Sequence, residues 1–328
     1  MSFNVSIQPN DINFITTADA TLLDSALAAK INLPHGCKNG GCGACKCKLT
    51  SGSVTHQEYA PSALSPQELA DNTILLCKAS ATSDVVLDIP GFVNGFPIKT
   101  LPSKIESIEK IGSVAILKLK LPANQSFEFF AGQYIDLSHA GKNRSYSLAN
   151  SPSATGVIEL HIRYRQGGVF SEALWNEFKA GQILRFKGPL GSFTLQDSAA
   201  PILMVCTGTG FAPLKSILEY MLATNSKRKV HLIWGNFQPE DFYLTELLPL
   251  WQQQLDLSVT LCSNENTPAD YYHGLVTEYI AQNYPDLSQY QVYACGNPGM
   301  IESLYNSAIS ELNLVKTNFF SDVFTPSA

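Results

Sequence analysis

The sequence lacks a long apolar run. No stretch approaches the roughly 20 residues that a membrane-spanning helix needs, so no membrane partner is expected. It lacks a basic excess, because 22 Lys and Arg stand against 28 Asp and Glu for a formal charge of −6. The basic footprint of a nucleic-acid binder is therefore missing, and no nucleic-acid partner is expected. It lacks a charged leader followed by an apolar core: the opening "MSFNVSIQPN" alternates apolar and polar residues as a strand does. Internal repeats and low-complexity tracts are missing as well. The expectation is a cytoplasmic chain, in a compartment where thiols stay reduced and disulfides are not favoured.

Cysteine is present but unevenly spread. Of 8 cysteines, four fall within "HGCKNGGCGACKCKLT", residues 35–50, alongside Gly36, Gly40, Gly41 and Gly43. In a reducing compartment such crowding points to metal binding or catalysis before disulfides.

A chain of 328 residues exceeds one typical domain. Residues 1–92 read as a small α+β module. Its strands "FNVSIQ" and "INFITT" form a hairpin around Pro9-Asn10-Asp11, the helical pattern "ADATLLDSALAAKI" follows, and "KCKLTSGSV" and "VVLDIP" are again strand-like. Residues 89–103, "IPGFVNGFPIKTLPS", read as a linker on their prolines and glycines. Residues 103–198 alternate in short runs with turn signals and hold one helical stretch, "FSEALWNEF", the signature of an antiparallel β-barrel. Residues 199–328 alternate strand and helix, from "APILMVC" and "FAPLKSILEYMLAT" to "YQVYACG" and "GMIESLYNSAISEL". That order implies an α/β module with a parallel sheet.

Cys37, Cys42 and Cys45 follow the spacing C-x4-C-x2-C, and Cys77 follows after 31 intervening residues. This is the plant-type [2Fe–2S] arrangement. Thiolates hold the two irons, and the glycines let backbone N–H groups approach the negatively charged sulfurs. A zinc site would favour paired C-x2-C knuckles, of which only one is present. Cys47, two residues past a ligand on an apparent strand, reads as a packed bystander. Cys206 and Cys262 lie in apolar strands and read as core.

Further motifs stand in the two downstream modules. "RSYSLAN" occupies 144–150, "HIR" 161–163, "GGVFS" 167–171, "CTGTGFAP" 206–213, "YACGNPGM" 293–300 and "FFSDVF" 319–324. "GGVFS" joins a glycine pair to a helix start, where unsatisfied N–H groups seat a pyrophosphate. "CTGTGFAP" is not the G-x-G-x-x-G fingerprint, because Pro213 stands where the third glycine belongs.

Taken in order, these motifs resemble the ferredoxin–NAD(P)H reductase-type iron–sulfur flavoproteins. The whole-chain texture is most similar to CDP-6-deoxy-Δ3,4-glucoseen reductases and to reductase components of multicomponent oxygenases. The resemblance implies a β-grasp [2Fe–2S] ferredoxin module, an FAD-binding barrel and an NAD(P)-binding module. It places Arg144 on a flavin phosphate, with Ser145 beside it. It sets Tyr146 along the isoalloxazine and Ser147 near N5. His161 and Arg163 fall on a strand lining the flavin, and Gly168, Val169, Phe170 and Ser171 on the pyrophosphate. Gly208, Thr209 and Gly210 pass the dinucleotide close to the backbone, while Cys295 and Gly296 lie beside the nicotinamide. Phe324, with Phe320 as second candidate, covers the flavin face. Ser147, Cys295 and Phe324 are the expected catalytic positions.

"SNENTPAD", after the strand "LSVTLCS", lacks the Ser-Arg of NADPH-preferring relatives, so NADH is favoured over NADPH. The resemblance implies electron flow from NADH through FAD and [2Fe–2S] to a redox partner protein, either a dehydrase or an oxygenase component. A free-standing flavin reductase or redox sensor is a further alternative. Lys38, Lys46, Lys48 and Lys78 flank the cluster cysteines and are expected to form a basic rim for an acidic acceptor, with plain solvated charge as the other reading.

Overall fold

The computed structural model describes residues 1–9, 11–89, 92 and 95–324. Asn10 of the expected hairpin turn, residues 90, 91, 93 and 94 of the linker, and residues 325–328 lie outside the described residues. Contacts divide the chain into two compact units, Met1–Lys99 with Pro189–Ser192, and Thr100–Gly188 with Phe193–Ala328.

The first unit holds β1 (Ser2–Gln8), β2 (Ile12–Thr17), α1 (Leu22–Ala28), β3 (Lys46–Ser51), β4 (Val54–His56), α2 (Pro66–Ala70), β5 (Thr73–Leu75), β6 (Ala79–Ala81) and β7 (Val85–Asp88). Five strands form a mixed sheet in the order β2-β1-β7-β3-β5, and β4 pairs with β6. Alternation along β1 turns Val5 and Ile7 inward, and both are fully buried. Helix α1 begins where the Thr21 hydroxyl accepts the Asp24 N–H at 3.1 Å. It then buries Leu22, Leu23, Ala26 and Leu27, each of the larger ones contributing about 2 kcal/mol. A helix laid across a mixed sheet is the β-grasp arrangement. Helix α2, capped by Ser65 and Glu68, was not visible in the sequence pattern.

The second unit opens with a barrel of β8 (Lys99–Ile111), β9 (Val114–Lys120), β10 (Tyr134–His139), β11 (Lys142–Ser147), β12 (Val157–Arg163) and β13 (Ile183–Leu190), interrupted by α3 (Val169–Asn176). Strand order is β11-β10-β13-β8-β9-β12, and a bridge between Leu148 and Leu160 joins the two edges. The interior is filled by side chains such as Leu117, Ile135, Leu160 and Phe186.

The parallel sheet follows, from β14 (Ile202–Thr207), α4 (Phe211–Ala223), β15 (Val230–Asn236), α5 (Leu247–Gln252), β16 (Leu257–Ser263), β17 (Tyr272–His273), α6 (Val276–Asn283), β18 (Gln291–Gly296), α7 (Pro298–Ser310) and β19 (Phe319–Val323). Its order, β17-β16-β15-β14-β18-β19, places the topological switch point beside β14. The crevice at the carboxyl ends of β14 and β18 is thus the expected ligand position of such a sheet.

Candidate functional site

The cysteine loop runs between α1 and β3. Its thiols form two pairs: Cys37 and Cys42 are hydrogen-bond partners, and Cys45 Sγ lies 3.3 Å from Cys77 Sγ. Among the described residues no three His, Cys, Asp or Glu side chains converge on a single ion. Backbone donors surround the sulfurs, with the Gly41 N–H 3.3 Å from Cys37 Sγ and the Cys37 N–H 3.4 Å from Cys42 Sγ. One thiol of each pair is pulled towards the thiolate. The Cys42 thiol holds Cys37 down at about 5, and the Cys45 thiol lowers Cys77. The partner thiols Cys42 and Cys45 are pushed up. Two close pairs set among N–H donors suit a diiron core, which takes two thiolates on each iron. Cys47 is packed in β3 opposite Ile74, its thiol pushed up to about 12 by burial and then by Asp88.

The expected basic rim is thinner than the sequence suggests. Lys46 Nζ is bound to both oxygens of Glu68 at 2.9 and 2.8 Å, and Lys48 Nζ donates to the Asp71 carbonyl at 2.6 Å. Two of the four lysines are spent on the module's own structure.

In the second unit, β11 carries Arg144, Ser145, Tyr146 and Ser147. The Tyr146 ring lies 5.2 Å from that of Phe170 in α3, which brings "RSYS" and "GGVFS" together. Burial raises the Tyr146 phenol, against the nearby charges of Arg144 and Arg165. Ser145 Oγ donates to Asp136 at 2.6 Å, and Ser147 is buried. Helix α3 starts at Gly168 with no side-chain cap, leaving its first N–H groups for another acceptor. A Cβ at Gly168 would sit 2.6 Å from Ser171 Oγ and 3.0 Å from the Arg165 carbonyl. Ser171 Oγ itself accepts the Arg165 N–H at 3.1 Å, fixing the loop.

A cleft of about 580 Å³ opens at the carboxyl ends of β14, β15 and β18. Arg163, Gly208, Thr209, Gly296 and Phe324 of the expected residues line it. The Phe324 N–H donates to the Gly296 carbonyl at 2.8 Å. Phe320 stacks instead on Tyr293 with ring centres 4.8 Å apart. Cys295 is fully buried in the sheet and its thiol is pushed well up by burial. Asn297 caps α7 by accepting the Gly299 N–H at 2.8 Å, as the Asn-Pro start of "NPGM" directs.

Sequence reasoning missed Arg165, Asn236 and Asn297 in the cleft wall. The Arg165 signal was the Arg-Tyr-Arg run that leads the chain out of β12. Among the described residues Arg163 Nε and Asn236 Nδ2 are buried without a hydrogen-bond partner, and both residues line the cleft, where a polar ligand would satisfy them. Cys262 is buried as expected of a core residue, and it also borders the cleft at the end of β16.

His161 lies elsewhere. Its side chain is buried, with Nδ1 2.9 Å from Tyr243 Oη and Nε2 2.9 Å from Glu159. Glu159 Oε1 lies 3.0 Å from Lys215 Nζ, which also contacts Glu219 at 2.6 Å and the Ala149 carbonyl at 3.2 Å. Burial lowers the His161 imidazole and keeps it neutral. Burial alone would raise Glu159, but the His161 hydrogen bond and the Lys215 charge hold it at about 2.

Three family models match in succession: a 2Fe-2S iron-sulfur cluster binding domain over residues 5–82, an oxidoreductase FAD-binding domain over 102–195 and an oxidoreductase NAD-binding domain over 204–305. The chain is 39% identical to the CDP-6-deoxy-L-threo-D-glycero-4-hexulose-3-dehydrase reductase of Yersinia pestis, with all of both chains covered. It is 33% identical to reductase component 1 of terephthalate 1,2-dioxygenase from Comamonas sp, covering 100% of this chain and 98% of that one. The solved Amycolatopsis cytochrome P450 reductase GcoB superposes with a TM-score of 0.83 at 27% identity, over 99% of this chain and 100% of that one.

Proposed function

The chain belongs to the family of NAD(P)H-dependent iron–sulfur flavoprotein oxidoreductases, and from that premise we propose that it takes hydride from NADH and delivers single electrons to a separate dehydrase, as CDP-6-deoxy-Δ3,4-glucoseen reductases do. The observation that carries the acceptor is the 39% identity to a dehydrase reductase over the full length of both chains, against 33% for an oxygenase reductase. We divide the chain at 1–92, 103–198 and 199–328, and assign it to the cytoplasm.

When bound, FAD and the cluster supply the conversion of a two-electron donor into one-electron deliveries. The protein supplies position and charge. Cys37, Cys42, Cys45 and Cys77 would hold the cluster. Arg144 is a permanent cation for a flavin phosphate, Tyr146 offers its face to the ring system, and Ser147 offers a hydroxyl near N5. The uncapped start of α3, Gly168 to Ser171, takes the pyrophosphate. Gly208, Thr209 and Gly210 admit the dinucleotide to the cleft, with Gly296 against the nicotinamide and Cys295 buried in the same strand. Phe324, which faces the cleft while Phe320 does not, covers the flavin. NADH is favoured because the loop after β16 offers Asn264 to the cleft and Glu265 to Gln238, with no cation for a 2′-phosphate.

A second reading, service to an oxygenase component, is supported by the terephthalate relative and by the GcoB superposition. Holoprotein mixed with NADH, a pyridoxamine-phosphate dehydrase and its CDP-sugar substrate separates the two. Formation of the reduced sugar, with kcat/KM for NADH about tenfold or more above that for NADPH, is the expected result. No sugar product, with turnover sustained for an oxygenase component, replaces the first reading by the second. A reversed coenzyme ratio overturns the NADH assignment.

A further inference from the structure

Among the lysines around the cysteine loop, Lys78 stands apart. Lys46 is neutralised by Glu68 and Lys48 is held by a carbonyl, whereas Lys78 has no counterion among the described residues. It follows Cys77, a member of one thiol pair. Its side chain nevertheless lies against Gly40, between Cys37 and Cys42 of the other pair. A Cβ on Gly40 would sit 2.9 Å from both Cγ and Cε of Lys78 and 3.0 Å from Tyr59 Cβ. Gly40 is fixed there by a φ of +80°, by its carbonyl, which accepts the Ala60 N–H at 3.0 Å, and by its N–H, which points at the Cys77 sulfur. The backbone of Lys78 is fixed too, its carbonyl accepting the Gln57 N–H at 2.8 Å and its N–H donating to the Leu75 carbonyl at 2.9 Å. The lysine stem is thus clamped across the loop.

We propose that Lys78 is the residue that tunes the cluster: a fixed, uncompensated cation spanning both thiol pairs, which stabilises the reduced state and sets the driving force for electron exit. The physical ground is charge. One electron added to a thiolate-bound diiron centre adds one negative charge, and net charge is a principal determinant of the potential of such clusters. A cation whose charge is felt at Cys77, on a half-buried side chain, favours that added charge. Lys78 does not ligate the metal; it acts through its field. The same contact explains why position 40 holds glycine, since any side chain there displaces the lysine stem.

This inference rests on the reading of Cys37, Cys42, Cys45 and Cys77 as cluster ligands. The test is an EPR-monitored redox titration of the wild-type holoprotein beside Lys78→Met, Lys78→Gln and Lys78→Arg, with iron and acid-labile sulfide measured in each. Both neutral variants should be reduced about tenfold less favourably, which for one electron is a potential about 59 mV more negative, while the arginine variant stays close to wild type. An unchanged potential in either neutral variant, with the cluster present, overturns the proposal. If both neutral variants lose the cluster and the arginine variant keeps it, charge at position 78 is needed even to hold the cluster, which supports the proposal. Loss in all three overturns it, because the lysine's shape would then matter and not its charge. Failure of the underlying ligand reading looks different: the wild-type protein itself would contain neither iron nor sulfide.

Discussion

Position 210 has room for a hydrogen atom and nothing larger. A Cβ on Gly210 would fall 2.2 Å from the Cys295 carbonyl oxygen and 2.6 Å from its carbon. The residue's own backbone, with φ at −57°, is one that any amino acid adopts, so the demand is purely steric. Backbone cannot yield as a flexible side chain does, and Gly210→Ala is expected to cost about 3 kcal/mol and to weaken NADH binding. A thermal melt and a calorimetric titration check both, and an unchanged melting temperature would refute the close-approach argument. The motif "GTG" was legible in sequence, but its reason was not. The expected cause was passage of a dinucleotide near the backbone; the structure adds the close approach of the Cys295 backbone, at the end of the neighbouring parallel strand β18, a contact distant in sequence. The same holds at Gly40, where the cysteine spacing marked the loop but gave no sign that Lys78 lies across it.

At the scale of elements, β12 and α4 are tied by ionised and polar side chains, most of them withdrawn from water. Lys215 is 3% exposed and meets Glu159, Glu219 and the Ala149 carbonyl, while Ser216 Oγ donates to the Asn150 carbonyl at 2.7 Å. The segment so held directly follows Ser147, and α4 directly follows Gly210, so the knot couples the flavin motif to the nicotinamide motif. It also has a pH dependence. Unfolded Glu159 titrates near 4.5 and the folded group near 2; its contribution, about 3 kcal/mol, is complete above pH 4.5 and lost as pH falls towards 2. His161 is kept neutral, so below about 6.5 the unfolded chain takes up a proton that the folded chain refuses. Both effects weaken the fold in acid. All three tryptophans, Trp175, Trp234 and Trp251, lie in the second unit, so their fluorescence reports this unit alone. Melts followed that way should fall steadily below pH 6.5. Glu159→Gln should melt lower at pH 7 and converge on wild type as pH drops below 4.5. A gap independent of pH would show that the Glu159 charge does not carry the stability. None of this was legible in the sequence. Lys215 and Glu219, four residues apart on a helix, look like a solvated pair, and only the arrival of β12 buries Lys215.

At the scale of the molecule, the architecture was legible because each part announces itself by local pattern. A cysteine spacing marks the first unit, period-two alternation the barrel, and strand–helix alternation the parallel sheet. What local pattern could not show is the grouping of Pro189–Ser192 with Met1–Lys99, since four residues of a barrel turn carry no sign of the company they keep. The grouping has a chemical consequence. The four paired thiols all belong to the first unit, whereas every residue assigned to flavin or nicotinamide, from Arg144 to Phe324, belongs to the second. Hydride acceptance needs only the second; delivery to a protein that takes one electron at a time needs both. Cys42→Ser removes one thiol of the Cys37–Cys42 pair, a proposed cluster ligand, and leaves the second unit's residues untouched. Reduction of ferricyanide by NADH should therefore stay within about twofold of wild type, while reduction of cytochrome c falls about tenfold or more. Stopped-flow traces of flavin bleaching would separate the outcomes further, because the first hydride transfer should keep its rate constant. If cytochrome c reduction survives with the cluster gone, electrons leave from the flavin, and the chain acts as a flavin reductase whose thiol unit has another purpose. If both activities collapse and flavin bleaching slows with them, the second unit depends on the first for its own chemistry, and the division of labour fails.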